Sequence, residues 1–511
     1  MQDLVPNERE GFLHLLTERV LSGPERLFAR YEGAPLSFGA LDRMASALAA
    51  ALRGLGVARG DRVAVMMRNS AAALATLFGL AKAGAAWVPV NVQLRGEGLR
   101  YILEHCQPRL VIADAEHLAT IRGSGAELGD RPLIGHGDHA GLRLEALLAG
   151  QASFAEMPPD AGDPFAIMYT SGTTGQPKGV IVTHRMLRLA GEAAALVSAV
   201  RPGDVLIVWE PLYHIGGAQL LVLPLIRDVV LAMVERFSAG RFWQQVLAEG
   251  ATHIHFLGGI LQILLKQPPG PLDRSHGVRI AWGGGCPKDV WRPFMERFGV
   301  EIRECYGMTE ACSITTFNDT GVVGAVGKPV PWLAVELRDA DGRPTKAGER
   351  GEIIVHAKRP GALFPGYFRN PEATAKALRG GALHTGDLGS FDGDGNLIFH
   401  GRLTDNVRCR GENVTAWEVE HVAAQHPAVE DCAMIGVAAE VGEEDIKLFV
   451  KLKPGLGLAP TELSLWLGER LAPYQNPRYI AFVEDFERTP SQRIMKHRLS
   501  RDTRGCWDRL A

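Results

Sequence analysis

The run TSGTTGQPKG, from Thr170 to Gly179, sets hydroxyls and glycines at Thr170, Ser171, Gly172, Thr173, Thr174 and Gly175, then a cation at Lys178. PFAIMY (Pro164 to Tyr169) precedes it and reads as a short buried strand. VIVTHRMLRLAGEAAALVSA (Val180 to Ala199) follows and turns helical near His184. A strand, a Gly/Thr/Ser loop and a basic residue describe a phosphate cradle. Glycines let backbone N–H groups approach anionic oxygens, hydroxyls donate further hydrogen bonds, and the lysine adds charge. The spacing is not that of a Walker A loop, because no Gly-Lys pair follows Gly172 at the required interval. A flexible Ser/Gly turn would account for the composition, but not for the two flanking strands and the lysine.

Outward from the cradle, strands and helices alternate. LSFGALDRMASALAAALRGLG carries apolar residues at helical spacing and stops at Gly54 to Gly56. DRVAVMM (Asp61 to Met67) is a strand, AAALATLFGLAKAG a helix, AAWVPVN a strand, and RLVIADA (Arg109 to Ala115) another. This order predicts an α/β fold with a doubly wound, parallel sheet. The stretch from Ile121 to Asp160 has little periodic signal and reads as loops leading to the cradle.

The 511 residues are 46% hydrophobic and 22% charged, enough for a large core and too many for one ordinary domain. A net charge of −3 leaves no electrostatic footprint for nucleic acid. Seven cysteines, with no CxxC pair, suit a reduced, cytoplasmic chain. The N-terminus lacks an apolar signal core, and runs such as Leu220 to Ile226 are too short to span a bilayer.

The cradle resembles the phosphate-binding signature of the ANL superfamily, which comprises acyl-CoA synthetases, adenylation domains and luciferases, and the resemblance runs across nearly the whole chain. It implies a large N-terminal domain of doubly wound sheets, residues 1–402, and a small mobile α+β domain, residues 403–511, that swings about a hinge at Thr404. The implied cofactors and substrates are ATP or acyl-AMP, Mg²⁺ and coenzyme A, with a small-molecule carboxylic acid or its adenylate.

The remaining motifs take their roles from that resemblance. DVLIVWEPLYHIGG places Trp209 and His214 at the acyl pocket, with His214 as its gate. THIHFLGGI ends at Gly258 and Gly259, which either make room for a bulky acid or form a tight turn. In VRIAWGGGCP, Gly283 borders the acyl chain, and Gly284, Gly285, Cys286 and Pro287 form the adenine-side loop. In EIRECYGMTE, Glu304, Tyr306, Gly307 and Met308 belong to the nucleotide site. Tyr306 stacks on adenine, Thr309 bonds phosphate, and Glu310 holds Mg²⁺, a hard cation that prefers oxygen. Asp387 and Arg402 reach the ribose. RCRGENVTAWEVE resembles the pantetheine-tunnel loop, with Arg410, Gly411 and Glu412 toward coenzyme A. A solvated basic face is an equal reading for Arg408 and Arg410.

One motif departs from the family in a place that matters for the chemistry. Its Gly-Lys-(Ile/Val/Leu) motif falls on RTPSQRIMKHRLS (Arg488 to Ser500). Ile494, Lys496 and Leu499 set the register, so Arg493 stands where the catalytic lysine belongs and Gln492 where the glycine does. When a carboxylate attacks the α-phosphorus of ATP, a compact cation must bridge two anions. A planar guanidinium does not reproduce a point ammonium, and a displacement of ~1 Å can cost on the order of 100-fold. The expectation is an acyl-CoA synthetase impaired in adenylation and acting mainly on acyl-AMP supplied by a separate adenylating enzyme. The alternatives are a complete two-step ligase, a carrier-protein-loading adenylation enzyme and a non-catalytic acyl-AMP binder. Homodimers are common among members of the superfamily.

Overall fold

The computed structural model describes residues 11–510, apart from 151–152, 171–176, 258, 404–405, 410–411, 440–443, 472 and 489–493. The chain forms two compact units. The first comprises residues 1–172, 176–335 and 355–384, and the second comprises 173–175, 336–354 and 385–511.

Two large sheets build the first unit. The seven-stranded sheet runs Leu142–Arg143, Leu133–His136, Leu110–Asp114, Arg62–Met66, Ala86–Pro89, Pro164–Thr170, Lys178–Thr183. All its pairs are parallel except the last, where the two strands flanking the cradle are antiparallel, with Thr170 opposite Lys178. The nine-stranded sheet has a parallel middle, Glu301–Tyr306, Ile280–Gly284, His253–Leu257, Val205–Val208, Val230–Met233, Leu27–Tyr31, and short antiparallel edges.

The helices start where local chemistry places them. The Ser37 side chain accepts from Ala40 N–H to cap Phe38–Gly54, and Ser70 does the same for Ala71–Lys82 through Ala73 N–H. Ala71–Lys82 is buried on nearly every side, as a helix apolar all round must be. After the cradle, Thr183 accepts from Met186 N–H at 3.1 Å and turns the strand into helix His184–Ser198. The stretch from 121 to 160 is not all loop. Strands Leu133–His136 and Leu142–Arg143 extend the seven-stranded sheet, and helix Leu144–Leu148 follows. Such short strands, one reading LIGH, carry no apolar alternation to announce them.

The second unit holds a four-stranded sheet, Val429–Ala438, Glu444–Leu452, Tyr479–Phe482, Trp507–Asp508, with helices Ala416–Ala424 and Pro460–Gly468. Its core gathers Val419, Met434, Leu448, Leu463 and Ile480. Also within the second unit, Asp387 to Phe391 pair antiparallel with Leu397 to Arg402. No disulfide joins any of the seven cysteines. Among the described residues, no helix is long and apolar enough to cross a membrane.

Candidate active site

Four neighbouring parallel strands of the nine-stranded sheet end at the same edge. Trp209 to His214 follow strand Val205–Val208, and Gly259 follows His253–Leu257. Gly285 to Pro287 follow Ile280–Gly284, and Gly307 to Glu310 follow Glu301–Tyr306. The carboxyl edge of an open α/β sheet is where ligands bind, because the loops there diverge and leave a crevice. Pairing these strands therefore brings together residues that lie up to a hundred positions apart.

Glu304 holds the loop of Gly285 to Pro287. It is buried, and its Oε1 accepts from Gly285 N–H at 3.0 Å and Cys286 N–H at 2.9 Å. Burial raises its carboxyl to about 7, and the two backbone donors oppose that rise. Pro287 caps helix Lys288–Phe298, which leaves the same loop. Burial pushes the thiols of Cys286 and Cys305 up, so neither is a nucleophile here. Gly283 is a glycine for a backbone reason. At φ +154° its Cβ would lie 1.8 Å from the Phe256 carbonyl oxygen of the paired strand.

The YGMTE segment is wound tightly. A Cβ on Gly307 would lie 1.8 Å from the Ser313 carbonyl oxygen, and Cys312 and Ser313 adopt left-handed φ values of 56° and 71°. Side chains rarely tolerate that region, which marks a constrained site. Met308 precedes the short turn Thr309–Ala311, and Tyr306 and Thr309 are buried. The Thr309 hydroxyl makes no hydrogen bond among the described residues.

Tyr367 ties this segment to the cradle. Its hydroxyl donates to Glu310 Oε1 at 2.8 Å, and the Lys178 ammonium sits 5.3 Å from its ring centroid. The tyrosine is held against the cradle strand, because Phe368 N–H donates to Gly179 O and Ile181 N–H to Gly366 O. The Thr170 hydroxyl donates to Lys178 O at 3.4 Å. No motif in the sequence assigns Tyr367 a role. Its place beside a glycine in LFPGYFRNP, a segment with no apolar period, is the one signal that could have found it.

Trp209 donates its indole N–H to His255 O at 2.9 Å. The His214 ring packs edge-on against Tyr213, and its backbone carbonyl accepts from Gly217 and Ala218 at the head of the next helix. Behind this loop, His255 Nδ1 and Glu210 Oε1 are 2.6 Å apart and buried, a pair the sequence did not reveal. Buried Asn69 holds the loop by donating to Glu210 O at 2.8 Å and accepting from Leu212 N–H at 3.1 Å.

In the second unit, Asp387 and Arg402 face each other across antiparallel strands, with Arg402 Nε 3.2 Å from Asp387 Oδ1. Glu412 opens strand Glu412–Thr415, paired with Asn406–Cys409. Ser171 to Gly175, Gly258, Thr404, Arg410, Gly411, Gln492 and Arg493 lie outside the described residues.

Residues 16–368 match the family model described as AMP-binding enzyme, and 418–493 match that of the AMP-binding enzyme C-terminal domain. A crotonobetaine/carnitine–CoA ligase of Salmonella paratyphi A is 32% identical over 485 residues, 91% of this chain and 92% of that one. ATP-bound MatB of Rhodopseudomonas palustris superposes with a TM-score of 0.86 at 28% identity, over 95% of this chain and 97% of that one. A benzoate CoA ligase of Burkholderia xenovorans LB400 gives a TM-score of 0.86 at 26% identity, over 96% and 99%. The Bacillus subtilis o-succinylbenzoate CoA synthetase in complex with its acyl-adenylate intermediate gives 0.84 at 25%, over 96% and 98%.

Proposed function

The chain belongs to the AMP-binding enzyme family, and from that premise we propose an acyl-CoA ligase in which forming the thioester is intact and forming the acyl-adenylate is impaired at Arg493. The general activity, an acid-thiol ligase working through an acyl-adenylate, is supported by relatives named as CoA ligases, by an ATP-bound structure and by a CoA synthetase holding its acyl-adenylate intermediate.

The observation that carries the finer reading is the state of Lys496, the nearest lysine to the altered motif. Its ammonium lies 2.8 Å from Glu420 Oε1, and that oxygen also accepts from Met434 N–H at 2.6 Å. Lys496 is thus committed within its own unit and is a poor stand-in for a mobile bridging cation. Arg493 is the cation left at the motif position, and its planar fork fits a close-packed phosphate poorly. Lys178 and the hydroxyls of Thr170 and Thr309 suit the phosphates of ATP. Glu310, a hard oxygen donor with one oxygen steadied by Tyr367, is the residue that would hold Mg²⁺, which neutralises phosphate charge. Asp387 and Arg402 serve the ribose, and the hairpin around Glu412 serves coenzyme A. The small domain, residues 403–511, swings about Thr404 between the two half-reactions.

The second reading, a complete two-step ligase, is favoured by the Lys178–Tyr367–Glu310 cluster, whose cation and carboxylate would suit ATP phosphates and their Mg²⁺. A panel of acids and their synthetic adenylates decides between the two. Wild type should convert acyl-AMP plus coenzyme A readily, and acid plus ATP slowly or not at all. Arg493→Lys, with Gln492→Gly if the loop requires it, should raise adenylation by at least ~100-fold and leave thioester formation nearly unchanged. Lys496→Met should leave both rates as they are. Ordinary adenylation by wild type, or its loss in Lys496→Met, would overturn the impaired reading.

A further inference from the structure

The end of strand Leu110–Asp114 and the first turn of the next helix, Ala115–Arg122, hold a group of side chains that the ligase reading does not use. Asp114, Glu116 and His117 each offer a ligand atom, and the three atoms lie within 4.8 Å of one another. Asp114 stands just before the helix, but its carboxylate caps no helical N–H. Its Oδ2 accepts from Arg68 N–H at 2.7 Å, and its Oδ1 lies 3.0 Å from His136 Nδ1. Arg68 follows one neighbouring strand, Arg62–Met66, and His136 ends the other, Leu133–His136. The two contacts fix the direction of the carboxylate, as outer partners do around a metal.

His117 is 2% exposed, and its buried Nε2 makes no hydrogen bond among the described residues. Buried polar atoms are almost always paired. Glu116 Oε1 lies 3.5 Å from that nitrogen, too far for a good hydrogen bond, and already accepts from Arg68 Nε at 2.7 Å. Two ligands at about 2.1 Å from one tetrahedral cation stand about 3.4 Å apart. The separation of these two atoms is therefore that of two ligands on one metal. Asp114 supplies the third once the Glu116 side chain, 54% exposed, swings inward. The protonation state of His117 does not change what binds. A metal takes the place of any proton on Nε2 and releases it to water, so only the affinity moves with pH. Charge points the same way, because the carboxylates of Asp114, Glu116 and Glu235 outnumber the guanidinium groups of Arg68 and Arg95. The positive end of the helix opposes a cation, but that effect is weak at an exposed first turn beside three ligand bonds.

We propose that Asp114, Glu116 and His117 form a divalent-cation site for a borderline metal of the zinc class, which pins the end of strand Leu110–Asp114 to the helix that follows. A ring nitrogen with two carboxylates suits Zn²⁺ or Co²⁺ better than Mg²⁺, which prefers oxygen alone and keeps its waters. The site is on the seven-stranded sheet, whereas Glu310 follows a strand of the nine-stranded one. It needs no ATP and does not depend on the ligase reading.

The test uses the full chain, stripped with a chelator and returned to metal-free buffer, with Zn²⁺, Co²⁺ and Mg²⁺ as probes. Titration calorimetry compares wild type with Glu116→Ala and His117→Leu, each first shown to be folded by circular dichroism. Zn²⁺ should bind wild type at least ~10-fold tighter than either variant, and Mg²⁺ should bind all three alike. Co²⁺ should give wild type a visible d–d absorption band that falls in both variants. Zn²⁺ should raise the thermal midpoint of wild type by at least ~3 °C and move the variants much less. If His117→Leu does not fold, Glu116→Ala, at an exposed side chain, carries the comparison alone. No Zn²⁺ binding by wild type, Zn²⁺ affinity and Co²⁺ absorption equal in wild type and Glu116→Ala, or a wild-type preference for Mg²⁺ overturns the proposal.

Discussion

Replacing Glu304 by glutamine removes one ionisable group from beside the Gly285–Pro287 loop while keeping an oxygen that can accept from Gly285 and Cys286. Burial raises the Glu304 carboxyl from 4.5 to about 7. At about 1.4 kcal/mol for each tenfold change in proton affinity, that displacement corresponds to about 3 kcal/mol. The sign follows from proton counting. Between pH 4.5 and about 7 the native chain holds a proton that the unfolded chain has released. Stability therefore falls as pH rises through that window and levels off above it. Glutamine mimics the protonated acid at every pH. Glu304→Gln should lie within about 1 kcal/mol of wild type near pH 5 and exceed it by about 3 kcal/mol near pH 8. Denaturant titrations of both proteins at the two pH values, followed by tryptophan fluorescence, give the difference, and all other titrating groups cancel in it. A wild-type-to-variant gap that is the same at both pH values would refute the reasoning, because it would mean Glu304 is ionised in the fold throughout.

Tyr367→Phe keeps the ring beside Lys178 and removes only the donation to Glu310 Oε1. The ATP-dependent step should slow by roughly 5-fold with a raised Mg²⁺ requirement, and turnover of acyl-AMP should not change; equal loss in both assays would place the tyrosine elsewhere in the chemistry. Gly283→Ala would drive a Cβ to 1.8 Å from the Phe256 carbonyl oxygen, so stability should fall by at least ~3 kcal/mol. A thermal midpoint within about 2 °C of wild type would show that the strands part easily and that this glycine is there for another reason.

Local chemistry is enough to order the chain. The apolar runs, the serine and threonine caps and the Gly/Thr/Ser cradle each act over a few residues, so strand Pro164–Thr170 and helix His184–Ser198 are legible from the residues alone. The small strands Leu133–His136 and Leu142–Arg143 are not, because their pairing partners rather than their own residues make them strands. The site divides the same way. The motifs supply Glu310 and Lys178, but Tyr367, 57 residues beyond Glu310, joins them only because its segment lies along the cradle strand. The family resemblance assigns Gly283 to the border of the acyl chain, and only the fold shows that it also faces a carbonyl of the neighbouring strand. His255 and Glu210, 45 residues apart, become a pair because strands His253–Leu257 and Val205–Val208 are neighbours. Hydrogen bonds across a sheet, backbone close approach and the desolvation that moves a carboxyl's proton affinity depend on which strands lie side by side, and no short window of residues contains that information.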